Sequence, residues 1–163
     1  MEQNSTKVYI DKNTARIKAE SYCAYQERSH YEVKLKLYEW GVYPADADII
    51  ICDLIANRFL NEERFAVNYT SGKFNIKNWG KIKIKQGLRL KKVSEPIINK
   101  TINSIDGDAY LIKLELVLRK KRKDIKEKEP YKIKYKLQQY GLSRGFENDL
   151  IFLILNNSDL NIL

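Results

Sequence analysis

The chain is poor in the residues from which small catalytic and metal sites are built. It holds one histidine, His30, and two cysteines, Cys23 and Cys52, among 163 residues. No Cys-x-x-Cys or Cys/His spacing connects them, which argues against a zinc site or a disulfide framework, and the apolar patterns around both cysteines predict buried free thiols. His30 has no serine or cysteine arrangement tied to it by spacing and is read as a surface residue rather than a general base. Asp46 and Asp48 stand two apart and do not share a helix face, so a paired-carboxylate site is unsupported. The seven glycines are scattered singly, and no Walker phosphate loop or dinucleotide fingerprint is present. The expectation is a chain with no enzyme activity, no metal and no cofactor.

Long apolar runs are also missing. Stretches such as "IIICDLIA" and "LIFLIL" fall far short of the about 20 residues that span a bilayer. The first twenty residues mix charged and polar side chains, unlike a signal peptide. A soluble cytoplasmic protein with reduced thiols and no membrane partner is expected. Prolines number only three, Pro44, Pro96 and Pro130, and each falls where a helix would begin; proline suits a first helical turn and not a central strand.

What is present is a repeat. The segments "EVKLKLYEWGV" (32–42), "KIKQGLRLKKV" (83–93) and "KIKYKLQQYGL" (132–142) share one register: Val33, Leu37, Val42; Ile84, Leu88, Val93; Ile133, Leu137, Leu142. Downstream, Ile51 and Leu54 match Ile102 and Ile105, then Ile151 and Ile154. The alternation of lysine and isoleucine in "GKIKIKQGLRLKKV" (80–93) resembles a half-buried strand. The shared spacing of four favours a helix, because residues four apart lie on one helical face whereas a strand alternates every second position. Gly41 and Gly141 stand where a helix C-cap needs a left-handed residue, with Lys92 in the equivalent place. The stripe Ile50, Ile51, Leu54 and Ile55 marks an apolar third helix. Against this, Asp106-Gly107 between apolar runs is by itself a hairpin signal. The matching junction begins with Asn61, Glu62 and Glu63, an N-cap followed by first-turn acids, so Asp106 or Asp108 is expected to cap a helix.

The predicted fold is all-α, an elongated tandem array of three three-helix repeats at 13–60, 61–106 and 107–157, with tails at 1–12 and 158–163. First helices are expected over 14–28, 62–72 and 109–123. Neighbouring repeats would supply each other's missing core.

The sequence resembles the RecX family, regulators of the RecA recombinase, over nearly its whole length. "QERSHYEVKLKL" is similar to that family's Arg-Ser-x-x-Glu-Leu-x-x-Lys-Leu signature through Arg28, Ser29, Glu32, Val33, Lys36 and Leu37. "FLNEERFA" is close to Leu-Asp-Asp-Glu-Arg-Phe-Ala through Glu63, Arg64, Phe65 and Ala66, and "WGKIKIKQGL" stands at an aromatic-Gly before a basic helix through Trp79, Gly80, Ile84 and Leu88. Asn61 and Glu62 replace an acidic pair, Gly87 stands where glutamate is common, and Lys92 replaces a turn glycine. The resemblance implies three tandem three-helix units that bind in the groove of the RecA nucleoprotein filament and suppress its ATPase and strand-exchange activities, without catalysis by this chain.

The formal charge is +9 and uneven: residues 71–101 hold nine basic and one acidic residue. Lys81, Lys83, Lys85, Arg89, Lys91 and Lys92 crowd the lysine-rich segment, and Arg119, Lys120, Lys121, Arg122 and Lys123 end the next. Such clusters attract phosphate through counterion release. Among them Trp79 and Tyr131, and also Tyr69 and Tyr135, are stacking candidates for exposed bases; the plainer reading is that these aromatics close a small helical core. The expected partners are the RecA filament and DNA, single- or double-stranded, met by a monomer. An autonomous basic helical module binding DNA or RNA without RecA is the alternative, and an inert scaffold for another acidic protein is a third.

Overall fold

Residues 10–157 are described in the computed structural model; residues 1–9 and 158–163, which hold most of the expected tails, lie outside the described residues. Among the described residues there are nine α-helices and no strand. They are α1 (Lys12–Tyr25), α2 (His30–Glu39), α3 (Pro44–Ala56), α4 (Glu62–Asn75), α5 (Lys81–Leu90), α6 (Glu95–Asn103), α7 (Gly107–Arg122), α8 (Pro130–Ser143) and α9 (Asn148–Asn156). Helices pack chiefly within three consecutive groups, α1–α3, α4–α6 and α7–α9. The lysine-isoleucine stretch is therefore helical: Ile84 and Leu88 are fully buried on one face of α5, while Ile82 is exposed.

Local chemistry explains the starts. Pro44 and Pro130 open α3 and α8, and Pro96 lies in the first turn of α6. Ser29 and Glu32 form a capping box, with the Ser29 hydroxyl accepting from the Glu32 N–H at 3.1 Å and the Glu32 carboxylate accepting from the Ser29 N–H at 3.0 Å. Asn61 accepts from the Arg64 N–H, and Asp106 from the Ala109 N–H, both at 2.8 Å. Asp106-Gly107 is thus a helix start, because the side chain of Asp106 satisfies an N–H at the head of α7 that a hairpin turn would have left to a partner strand.

The stops differ from expectation in the third group. Gly41 (φ 81°) and Lys92 (φ 58°) are left-handed as anticipated, but Gly141 is helical, and the left-handed residue is Gly145 (φ 87°). All three ends close the same way: Val42, Val93 and Phe146 donate to the carbonyls of Leu37, Leu88 and Gly141 at 3.0, 3.2 and 3.1 Å. Because α8 runs one turn further, Phe146 takes the buried place that Val42 and Val93 hold, and Leu142 is 38% exposed. Gly141 serves packing instead: a Cβ there would come within 2.7 Å of Ile151 Cδ1, so its absence lets α9 approach. Two further apolar expectations fail for lack of a neighbour, Ile55 and Cys52 both being exposed, whereas Cys23 is buried and burial pushes its thiol up to about 11.

The core is not divided in three. One cluster holds the first group, from Ala15 through Leu37 to Leu60; the other runs unbroken through the second and third groups, from Phe65 through Leu88, Tyr110 and Leu118 to Leu155. Neighbours do supply each other's core between the second and third groups. The first group meets the second through charge, Arg64 to Glu27 and Lys91 to Glu32 at 2.6 Å, and the His30 Nδ1 lies 3.9 Å from the Glu62 carboxylate.

Candidate nucleic-acid interface

Helix α5 starts against the third group. Its N-cap, Gly80, offers no side-chain oxygen, so the first N–H groups need partners from elsewhere. The Gly80 N–H donates to the Arg144 carbonyl at 2.8 Å, the Lys81 N–H to the Tyr110 hydroxyl at 2.8 Å, and the Ile82 N–H to the Gly145 carbonyl at 3.0 Å. Tyr110 passes its own proton to a 2.6 Å hydrogen bond with Glu147, and burial followed by that bond raises its pKa well above the ordinary tyrosine value. A Cβ on Gly80 would run into the Gly145 carbonyl, and one on Gly145 into Lys83. The two glycines are what allow the turn after α8 to cap α5.

This docking joins two clusters that are far apart in sequence. The Lys83 ammonium donates to the Ser143 carbonyl at 3.0 Å, and the adjacent Arg144 lines a cavity with Lys120 and Lys121 of α7. The Lys121 ammonium lies 5.2 Å from the centre of the Tyr140 ring, and the Arg144 guanidinium 6.0 Å from the same ring. Lys81 sits over Tyr110 at 4.7 Å. Lys85 lies between the two ends of α5, and Lys123 caps α7 in the open.

The remaining basic candidates are partnered or turned away. Arg89 pairs with Glu95 at 2.5 Å, Arg119 with Glu115 at 2.6 Å, and Arg122 donates to the Ile125 carbonyl at 3.3 Å. Lys91 faces the first group through Glu32. Burial alone would raise that carboxyl, but the Lys91 ammonium and the Ser29 N–H outweigh it and hold its pKa below the usual glutamate value. Lys92 lies 6.0 Å from the Tyr31 ring, also toward the first group. The cations ending α7 also complement the carbonyl end of its helix dipole, an ordinary structural role.

Trp79 is half-buried against the core, with the ammoniums of Lys73 and Lys83 at 4.7 and 4.9 Å from its ring centre, so the protein's own groups occupy its faces. Tyr69 also packs on the core; its hydroxyl fills the space over Gly87, where a Cβ would collide with it. That contact gives the glycine a packing reason. Tyr131 and Tyr135 are 68% and 62% exposed. Three cations at the junction escaped the sequence reading: Lys77, Lys113 and Arg144. Lys77 lies within the charged stretch 71–101 and could have been included; Lys113 and Arg144 are isolated in sequence and join the cluster only through packing.

Among the described residues no three histidine, cysteine or acidic side chains gather as a metal site, and no helix is long and apolar enough to cross a membrane. The model for the second three-helix domain of RecX matches residues 61–102, and that for the third matches residues 108–155. Among curated relatives, the regulatory protein RecX of Bacillus mycoides is 25% identical and that of Bacillus cytotoxicus 27% identical, each over 141 residues, 86% of this chain and 52% of the relative. The chain thus spans about half the length of these relatives. The crystal structure of RecX from Lactobacillus salivarius superposes with a TM-score of 0.82 at 22% identity, covering 93% of this chain and 97% of that one. Another crystal structure of regulatory protein RecX gives 0.77 at 20% identity, over 88% and 72% of the two chains, and both likenesses bear on the fold. The two adjoining domain matches, in order and on an array of the same architecture, establish that this chain belongs to the RecX family of regulatory proteins.

Proposed function

We propose that the chain is a non-enzymatic cytoplasmic regulator that docks as a monomer on the RecA filament assembled on DNA and inhibits its ATP hydrolysis and strand exchange. Family membership supports this reading, and one observation of the molecule carries it further: Lys83 of α5 bonds to the turn after α8, whose Arg144 lines a cavity with Lys120 and Lys121 of α7. A surface of that sign suits phosphate or an acidic filament surface. Lys81, Lys83, Lys85, Lys120, Lys121 and Lys123 are the proposed contacts, with Tyr131 as an exposed stacking candidate. Arg89, Lys91 and Arg119 contribute less, since each already has a carboxylate partner. Contacts spread over several helices would let one molecule bridge adjacent protomers, holding the filament in one conformation and blocking exchange. No cofactor enters this role.

The test uses purified RecA on single-stranded DNA with stoichiometric amounts of this protein. ATP hydrolysis and strand exchange should both fall; unchanged rates would defeat the proposal. Reversal of Lys81, Lys83, Lys85 and Arg89 to glutamate should weaken co-sedimentation with the filament, and indifference to that change would favour a scaffold for some other partner. The same uncompensated charge also favours a second reading, autonomous binding to DNA or RNA. Appreciable affinity for bare DNA near physiological salt, with no preference for the filament, would select it.

A further inference from the structure

The junction of the second and third groups carries a pocket whose charge its own walls do not balance. Lys77, Lys113, Lys120, Lys121 and Arg144 stand around a cavity of about 390 Å3, with Asp124 as the carboxylate among its lining residues. None of these five cations enters an ion pair with another described residue. Like charges held together in a compact fold repel, and an anion seated among them would relieve that cost.

Arg144 is pre-positioned for such an anion. Its Nε donates to the Asn78 carbonyl at 3.4 Å and its Nη2 to the Lys77 carbonyl, in the turn where Asn78 takes a left-handed φ of 53°. Those two bonds orient the planar guanidinium and leave its Nη1 hydrogens unassigned, so little rotamer freedom remains to be lost when a ligand is gripped. Lys113 is likewise drawn toward the Asn75 carbonyl at 3.5 Å.

The surroundings discriminate among anions. Ile76 and Leu116, 74% and 57% exposed, border the cations. Apolar flanks beside positive charge match a backbone in which sugars alternate with phosphates better than they match a carboxylate patch. Lys83, bonded to the carbonyl preceding Arg144, extends the positive track beyond the cavity toward α5, which suits a polyanion rather than a single small ion. We infer that this pocket is a phosphodiester clamp, in which Arg144 grips one backbone phosphate of a nucleic-acid strand while Lys113 and Lys120 neutralise its neighbours. The clamp rests on the reading that this face meets nucleic acid, and does not require that RecA be inhibited.

The experiment is a salt titration of binding to a fluorescently labelled single-stranded oligonucleotide, comparing the unaltered chain with the double variant Lys113→Gln and Lys120→Gln. A control double variant, Lys126→Gln and Lys128→Gln, removes the same charge outside the pocket. The pocket variant should lower the slope of log affinity against log salt by about 1.4, or about 0.7 for each lost phosphate contact, with the control near the unaltered slope. Arg144→Lys, which keeps the charge but not the anchored fork, should lose affinity several-fold while unfolding at a similar denaturant concentration. Equal losses in pocket and control variants would overturn the clamp, as would no measurable affinity of the unaltered chain for the oligonucleotide. Displacement of the strand by inorganic phosphate far better than by chloride at equal ionic strength would overturn the diester assignment. Loss of filament binding with unchanged affinity for bare DNA would assign the pocket to an acidic protein surface instead. RecA assays run in parallel separate the two readings: unaffected RecA beside a pocket-dependent DNA slope defeats only the inhibitor proposal, and inhibition beside a DNA slope that the pocket variant leaves unchanged defeats only the clamp.

Discussion

At the scale of single residues, Tyr110 joins more of the molecule than any sequence pattern would suggest. Its ring lies between Phe74 and Phe146, at 5.9 and 5.3 Å between centres, while its hydroxyl accepts from α5 and donates to Glu147. Tyr110→Phe keeps the rings and leaves the Lys81 N–H and the Glu147 carboxylate without that partner. Leaving buried polar groups unsatisfied costs about 1–3 kcal/mol, so urea unfolding should shift to lower denaturant by that amount. An unchanged midpoint would show that the hydroxyl bridge does not hold the second and third groups together. Tyr110 reads in sequence only as an apolar position on an amphipathic helix; the bridge depends on Glu147, which lies 37 residues away.

At the scale of helices, spacing and end chemistry are legible because they are local. The capping residues Asn61 and Asp106 act on N–H groups three residues on, and the first-turn prolines act on their own turn, so a linear reading finds them; Ser29 caps in the same way but entered the sequence analysis only as part of the family signature. Lys92 shows the same locality at a cost: an L side chain in the left-handed region is disfavoured, and Lys92→Gly should stabilise the chain by about 1 kcal/mol. The check is a raised urea midpoint with an unchanged slope; a lower midpoint would mean that the Lys92 side chain, near Tyr31, holds the first group in place. Gly141 misled for a complementary reason. Whether a helix stops at a glycine depends on what it packs against, and here close contact with Ile151 favours continuing the helix for another turn.

At the scale of the whole molecule, two kinds of junction alternate. The second and third groups share one apolar core and backbone hydrogen bonds, whereas the first joins the second through the pairs Glu27–Arg64 and Glu32–Lys91. Salt screens partly exposed pairs and strengthens apolar burial if anything. Rising salt should therefore speed hydrogen exchange in α1 and α2 before α8 and α9; loss of protection in step would contradict this division. The pH dependence has a definite sign. Glu32 titrates below its ordinary value of 4.5, so its contribution is fully present above that pH and is lost as pH falls through the depressed folded value. Glu32→Gln, which can still complete the capping box, should cost about 0.5–1 kcal/mol at neutral pH, and its difference from the unaltered chain should vanish on acidification. A difference that persists in acid would assign the effect to packing.

The sequence by itself determined what depends on neighbours a few residues away: helices rather than strands, the starts marked by the prolines, Asn61 and Asp106, much of the buried faces, the approximate interval between repeats, and the family signature in Arg28–Ser29–Glu32 and Glu63 to Ala66. Hydrogen bonds within helices and their caps span three or four residues, so their logic survives in a linear string. Only the tertiary structure decided which repeats share a core, which lysines are neutralised by distant carboxylates, and that Lys77, Lys113 and Arg144 stand with Lys120 and Lys121 around one cavity. Those outcomes are set by Coulomb and packing energies between residues tens of positions apart, which become fixed only once Gly80 and Gly145 let the two groups dock.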